Sequence, residues 1–342
     1  MSKKIVYSTV VGSYPQPKWL VNRDLLKKRV PFRILSEKYW NIEKNKIKEA
    51  QDKATFEAIK DQEKAGIDII SDGEIRRESY SAVLSNSLGG IDYANPGEAL
   101  ERSGHKNLVP RVVGPITWSK SVELENIKFL KANTKKRTKI TIPGPFTMAQ
   151  QAQDEYYGNE KKMTFDYAKA VNKEIISLFN AGVDYVQLDE PYMEARYEKA
   201  SDFGIEALEI ALDGVVGKTI LHICFGYGHF IKDKSSKYNF LGELNESSID
   251  CISIEGAQPN LDLSALKKIN SKKIMLGVIN LAEDKVENEN DIVNRAIEAF
   301  KYIEPNKLLL APDCGMKYLE REIAFNKLKV LAKATKILNQ KI

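Results

Sequence analysis

Cysteine and histidine are scarce in this chain, three of each among 342 residues. So few cysteines, odd in number, exclude a disulfide scaffold and point to reduced thiols, where a cysteine serves as a metal ligand or reactive group before a cross-link. No apolar run approaches the 18 residues that read as a membrane span, which argues against an integral membrane protein. No Pro/Ser-rich linker marks a domain boundary, so one domain with excursions is expected over 1–342. Met-Ser-Lys-Lys leads straight into the strand-like Ile-Val-Tyr-Ser-Thr-Val with no signal-peptide pattern, and the expected location is the cytoplasm. A formal charge of +5 is small for this length, and basic clusters such as Lys135-Lys136-Arg137 sit beside acidic ones instead of forming a stripe with interleaved aromatics. Nucleic acid is therefore not the expected partner; the basic surplus suits a small anionic substrate or cofactor.

What the chain does contain is a series of short β-branched runs, each ending in Gly, Pro or a polar residue. They are IVYSTVVGS from Ile5, GIDIISDGE from Gly66, TKITIPGP from Thr138, GVDYVQLDEP from Gly182, KTILHICFG from Lys218, SIDCISIEG from Ser248, KKIMLGVIN from Lys272 and NKLLLAPDCG from Asn306. A further run, NLVPRVVGPI from Asn107, has little helical sequence around it and reads as part of a hairpin or excursion. Amphipathic segments with Gly at their C-terminal stop separate most of the eight, for example NIEKNKIKEAQDKATFEAIKDQEKAG and DYAKAVNKEIISLFNAG. Alternating β and α with near-continuous apolar strands predicts an α/β fold with a parallel sheet. Eight repeats favour a closed (β/α)8 TIM barrel, with N-terminal and loop excursions, over a doubly wound sheet.

Polar residues gather at the C-terminal ends of these runs: Ser13, Asp72 with Glu74, Asp189 with Glu190, His222 with Cys224, Glu255, Asn280, and Asp313 with Cys314. That is the rim where barrel enzymes build their sites. In an extended strand His222 and Cys224 share one face, so H-x-C is a bidentate claw, although a packed histidine beside a buried cysteine reads equally well in isolation. Cys314 supplies a third ligand from another wall, and Glu255 can complete a fourth position. One imidazole, two thiols and a carboxylate suit zinc. Scattered over three strands, they argue for a reaction site more than a structural clip.

Taken in order, VVGSYPQP, SDGEIRR, QLDEP, HIC, SIEGAQ and APDCGMKYL resemble the catalytic half of the cobalamin-independent methionine synthase family, over nearly the whole chain. The chain is similar to the short, single-barrel members, without the additional N-terminal barrel of the long ones. The resemblance implies zinc bound by His222, Cys224, Glu255 and Cys314, and methyl transfer to the thiol of homocysteine. It also implies that Gly12, Ser13, Glu74 and Asp189 hold the amino-acid end of that substrate. Folate-using members carry an Asp and a His after the seventh strand, the His protonating the departing folate nitrogen. Here the stretch reads GVINLAEDK, with Asn280 and Ala282 at those positions. The donor thus stays open between methyltetrahydrofolate and a methylated corrinoid or corrinoid protein, whose cobalt leaves unprotonated.

The residues support the same chemistry by themselves. Glu74 and Asp189 can clamp a substrate ammonium by charge-assisted hydrogen bonds, against the alternative that they cap the helices that follow. Gly12 and Ser13 offer successive backbone N–H groups suited to a carboxylate. His229, in GYGHF, is a candidate proton donor or else a solvated loop residue, and Glu283 and Asp284 are further candidates, none of them at the family's spacing. Cys251, inside an apolar strand, reads as packing. Three competing functions remain on this reading: alkyl transfer to another thiol such as a coenzyme thiol, a metal-free lyase barrel of the uroporphyrinogen decarboxylase kind, and a non-catalytic zinc protein.

Overall fold

The computed structural model describes residues 5–28, 36–101, 104–269 and 271–342. In chain order its strands are β1 (Tyr7–Ser8), β2 (Ile69–Ile70), β3 (Gly89–Leu100), β4 (Lys106–Thr117), β5 (Arg137–Pro143), β6 (Gln153–Asp154), β7 (Tyr185–Asp189), β8 (Lys218–Ile223), β9 (Cys251–Ile254), β10 (Lys273–Ile279) and β11 (Leu308–Pro312). Eight of them form one sheet in the order β1-β11-β10-β9-β8-β7-β5-β2, with every pairing parallel. A parallel bridge from Thr9 to Ile69 brings the two end strands together, so the sheet rolls into a barrel. Each of the eight apolar runs supplies one stave.

The helices form where the sequence carries amphipathic periodicity and stop where it offers glycine. The helix Ile47–Ala65 ends at Gly66, whose φ of +92° lets its N–H reach back to the carbonyls of Gln62 and Glu63. Asn159 caps Glu160–Asn180 by accepting the Lys162 N–H, and that helix buries Met163, Tyr167, Val171, Ile175 and Leu178, a stripe at helical spacing. These stripes pack on the outside of the staves as the main core. A second apolar cluster, Val11, Ile69, Ile220, Cys251, Met275, Leu309 and Ala311, is separate from it and plugs the barrel interior. Cys251 is thus a packing residue.

The plug also fixes which side chains reach the mouth. Strand side chains alternate, so with Ile220 in the plug, His222 and Cys224 continue the inward face of β8; Ser253 and Glu255 follow Cys251 on β9, and Gln187 and Asp189 follow Tyr185 on β7.

The opposite, N-terminal mouth carries a repeated fastening. Asp68, Asp184 and Asp250 stand immediately before β2, β7 and β9, and each accepts both the backbone N–H and the hydroxyl of a residue on the neighbouring stave: Ser8 at 2.8 and 2.9 Å, Thr138 at 2.8 and 2.8 Å, Thr219 at 2.8 and 3.0 Å. One carboxylate thereby satisfies two donors at a strand start and sets the register of two staves.

Between β2 and β5 the chain leaves the barrel as an antiparallel hairpin, β3 with β4, to which β6 adds in parallel. NLVPRVVGPI falls within β4, as its isolation from helical sequence predicts. Among the described residues, no helix is long and apolar enough to cross a membrane.

Candidate active site at the C-terminal mouth

His222 and Cys224 leave the end of β8 and Cys314 follows β11; their ligand atoms all lie within 4.8 Å of one another, and all three residues are buried. His222 Nδ1 is 2.9 Å from Ser253 Oγ on the adjacent stave, which orients the ring. Its other nitrogen, Nε2, is buried and makes no hydrogen bond. An imidazole with one nitrogen tethered and the other unpartnered, facing two thiols, is the donor set of a metal site with an outer-shell anchor. A hydrogen bond to Cys224, then burial, then the electrostatic influence of Cys224 push the Cys314 thiol well above its ordinary value. A divalent cation bound between the two sulfurs would favour their thiolate forms, with release of protons. His222, Cys224 and Cys314 can therefore hold a metal ion.

Glu255 is not a member of that three-residue group. Its Oε2 pairs with Lys234 Nζ at 2.8 Å, both side chains being fully buried, while Oε1 makes no hydrogen bond. Burial drives this carboxyl far upward; Lys234 opposes the shift and Cys224 adds to it. The loop after it is clamped to the third ligand's strand, because the Asp313 carboxylate accepts the N–H groups of Gly256, Ala257 and Gln258 at 3.0, 2.9 and 2.6 Å. Asp313 thus ties the walls bearing Glu255 and Cys314 into one unit.

His222, Cys224 and Cys314 line one small cavity together with Gly12, Ser13, Glu74 and Asp189. Asp72 Oδ1 accepts the Glu74 N–H at 3.1 Å, and Glu74 sits at φ +53°, a left-handed conformation that costs a non-glycine residue roughly 1 kcal/mol and here turns its carboxylate inward. Gly12 cannot be replaced without disturbance: an added Cβ would lie 2.1 Å from Glu74 Oε1. Burial raises Glu74 to about 7, with Arg77 opposing and Asp189 and Asp72 reinforcing the shift. Burial likewise raises Asp189 to about 6, against the pull of His222. Ser13 Oγ is buried without a partner. Two desolvated carboxylates and an unpaired hydroxyl are groups arranged for a guest rather than for one another.

The neighbouring acids have structural work. Glu190 accepts the N–H groups of Phe146 and Thr147 at 2.9 and 2.7 Å, capping the helix Pro145–Gln150, and Asp72 lies 3.6 Å from the buried Arg77 guanidinium. His229 does not line the cavity; its ring stacks on Tyr318 at 5.1 Å, with Nε2 3.2 Å from the Lys27 carbonyl. Asn280 accepts the Ala282 N–H at 2.8 Å. Sequence reasoning passed over Ser253, Lys234, Tyr80 and Tyr227, the last two also lining the cavity. Ser253 was within reach, standing two residues before Glu255 on the same face; Lys234 was not, since only the path of the loop after β8 brings it back.

A parallel barrel with an imidazole and two thiols at its C-terminal mouth, above a pocket holding two buried carboxylates, defines a metal-site barrel enzyme. Residues 6–337 match the family model described as the cobalamin-independent synthase catalytic domain. The chain belongs to that family. It is 32% identical over 346 residues to a methionine synthase of Saccharolobus solfataricus, covering 100% of this chain and 98% of the relative, and 31% identical over 348 residues to one of Pyrococcus horikoshii, covering 100% and 95%. The structure of a B12-independent methionine synthase from Shewanella sp. W3-18-1, in complex with selenomethionine, superposes with a TM-score of 0.89 at 30% identity over 98% of each chain.

Proposed function

We propose that this chain, acting as one barrel domain over residues 1–342, transfers a methyl group to the thiol of homocysteine to form methionine, with zinc as its metal. The observation that carries the reading is that the metal-binding trio and the two carboxylates open onto one cavity. The relatives named above are methionine synthases, and the Shewanella protein holds a methionine analogue.

His222, Cys224 and Cys314 would hold the ion, with Glu255 as the fourth ligand that gives way to substrate. When bound, zinc keeps a thiol ionised at neutral pH, where a free thiol of pKa 8.5 is only a few per cent thiolate, a gain of roughly thirtyfold or about 2 kcal/mol. The remaining work is positional. Glu74 and Asp189 receive the substrate ammonium, which returns both desolvated carboxylates to their ionised forms. The backbone at Gly12 and Ser13, with the unpartnered Ser13 hydroxyl, receives the carboxylate. An acceptor without an amino group would leave Glu74 and Asp189 buried with no ammonium between them, which disfavours a coenzyme thiol. A metal-free lyase would leave the trio unexplained.

In the reaction the new S–CH3 bond forms as the methyl's bond to its donor breaks. A folate donor must then take up a proton on the departing nitrogen; a corrinoid donor needs none. Asn280 and Ala282 supply no acid, and His229 turns away to Tyr318. Both donors fit the proposal. The deciding experiment supplies homocysteine to the zinc-loaded protein with methyltetrahydrofolate or methylcobalamin in parallel and measures methionine. Methionine from at least one is expected; methionine from neither, with another thiol methylated instead, overturns the choice of acceptor.

A further inference from the structure

Beneath the cavity floor lies a charge that the chemistry above does not use. Lys139 is fully buried in the middle of β5, where an ammonium must be desolvated at considerable cost and a methionine would fill a similar space without that penalty. Its Nζ donates to the Val10 carbonyl, to the Val11 carbonyl at 2.7 Å and to Gln187 Oε1. These three acceptors use all three protons of the ammonium form, which burial opposes by lowering the group to about 7 and the nearby Asp189 helps to retain.

Each contact dictates what the partner presents on its far side. Gln187 has one oxygen and one NH2 group; with the oxygen committed to a group that can only donate, the NH2 must face the other way. It does, donating to Asp189 Oδ1 at 2.8 Å. The carboxamide flip that would turn a second oxygen toward Asp189 is thus forbidden. The Val11 carbonyl belongs to the same planar trans peptide as the Gly12 N–H, and the two point in opposite directions. Drawing the carbonyl down to Lys139 therefore turns the Gly12 N–H away from the ammonium, toward the side on which Gly12, Ser13 and Asp189 line the cavity.

We propose that Lys139 is a positioning residue for the amino-acid end of the substrate: through Gln187 it holds Asp189, and through the Val10 and Val11 carbonyls it holds the Gly12-Ser13 backbone, so that one buried cation sets the spacing between the ammonium and carboxylate subsites. This rests on the homocysteine reading. It separates recognition of the amino-acid end from recognition of sulfur, since the hydrogen bonds of Lys139 go to Val10, Val11 and Gln187 and not to His222, Cys224 or Cys314.

The test is calorimetric titration of the zinc-loaded protein with homocysteine and, in parallel, with 2-mercaptoethanol, a thiol lacking the amino-acid end. Lys139→Met removes the ammonium at similar volume. Gln187→Glu keeps an acceptor for Lys139 and removes the donor toward Asp189, so it remains informative should the first variant not fold. Both are expected to weaken homocysteine roughly thirtyfold, the loss of one or two charge-assisted contacts, with 2-mercaptoethanol affinity and zinc content unchanged. Gln187→Glu combined with Asp189→Asn should weaken binding little more than Asp189→Asn alone, because both changes break one chain of contacts. Unaltered homocysteine affinity in a folded variant, or equal losses for the two thiols, would overturn the proposal. A wild-type protein that binds 2-mercaptoethanol but not homocysteine would instead overturn the acceptor reading, and this inference with it.

Discussion

The two mouths of the barrel use the same residue type in opposite ways. At the N-terminal mouth Asp68, Asp184 and Asp250 are at least partly exposed, and each carboxylate is engaged by a backbone N–H and a hydroxyl of the next stave. At the C-terminal mouth Glu74, Asp189 and Glu255 are buried, and desolvation is the largest influence on each, raising Glu74 to about 7 and Asp189 to about 6. One end holds the barrel together; the other stores unfavourable electrostatics that its own partners, Lys234 for Glu255 and Gln187 for Asp189, relieve only in part. Active sites are commonly built at the expense of stability in this way.

The comparison can be broken most sharply at Glu74. Glu74→Gln should weaken homocysteine binding about a hundredfold by removing one partner of the ammonium, yet raise the melting temperature of the unliganded protein at pH 7.5; a calorimetric titration and a thermal melt check the two halves. The sign follows from linkage. The folded chain holds a proton on Glu74 up to about pH 7, whereas an unfolded glutamate releases it near 4.5, so stability present below 4.5 is lost as pH rises to about 7. Arg77 and Lys317 moderate the shift; Asp189 and Asp72 enlarge it. Homocysteine affinity should run the other way and increase through the same window, as the carboxylate becomes available to the ammonium. Affinity independent of pH from 5.5 to 7.5 would remove Glu74 from the clamp.

A smaller effect is expected one step behind the metal. Ser253→Ala frees the His222 ring and should lower zinc affinity roughly tenfold in a chelator competition, with the fold intact; unchanged affinity would mean that packing alone orients the imidazole. At the opposite mouth, Asp184→Ala should reduce stability by about 1 kcal/mol in denaturant unfolding and leave homocysteine affinity alone. A change in affinity there would dissolve the division between the two ends.

How much of this could be read from residues alone follows the same division. All eight staves were legible because a parallel strand covered on both faces is a near-continuous apolar run. The clustering of His222, Cys224 and Cys314 was legible too, since period-two spacing puts His222 and Cys224 on one face and strand ends bring Cys314 beside them. The strand β3 was not, because Gly89, Gly90, Asn95, Pro96 and Gly97 disrupt any strand pattern while the hairpin partner holds it extended. Glu255 was expected as a fourth ligand; that its basic partner is Lys234 could not be read, because long-range loop geometry makes the pairing. Lys139 stood in plain view inside TKITIPGP, yet its direction into the barrel shows only in the hydrogen bonds its Nζ makes to Gln187 and to the Val11 carbonyl.

The central claim is that one ion is held jointly by side chains from separate staves. Metal analysis of the purified protein tests it most directly. The account predicts about one zinc per chain in the wild type and a sharp loss in both Cys224→Ser and Cys314→Ser with the barrel still folded. Full zinc retention in both variants would contradict it.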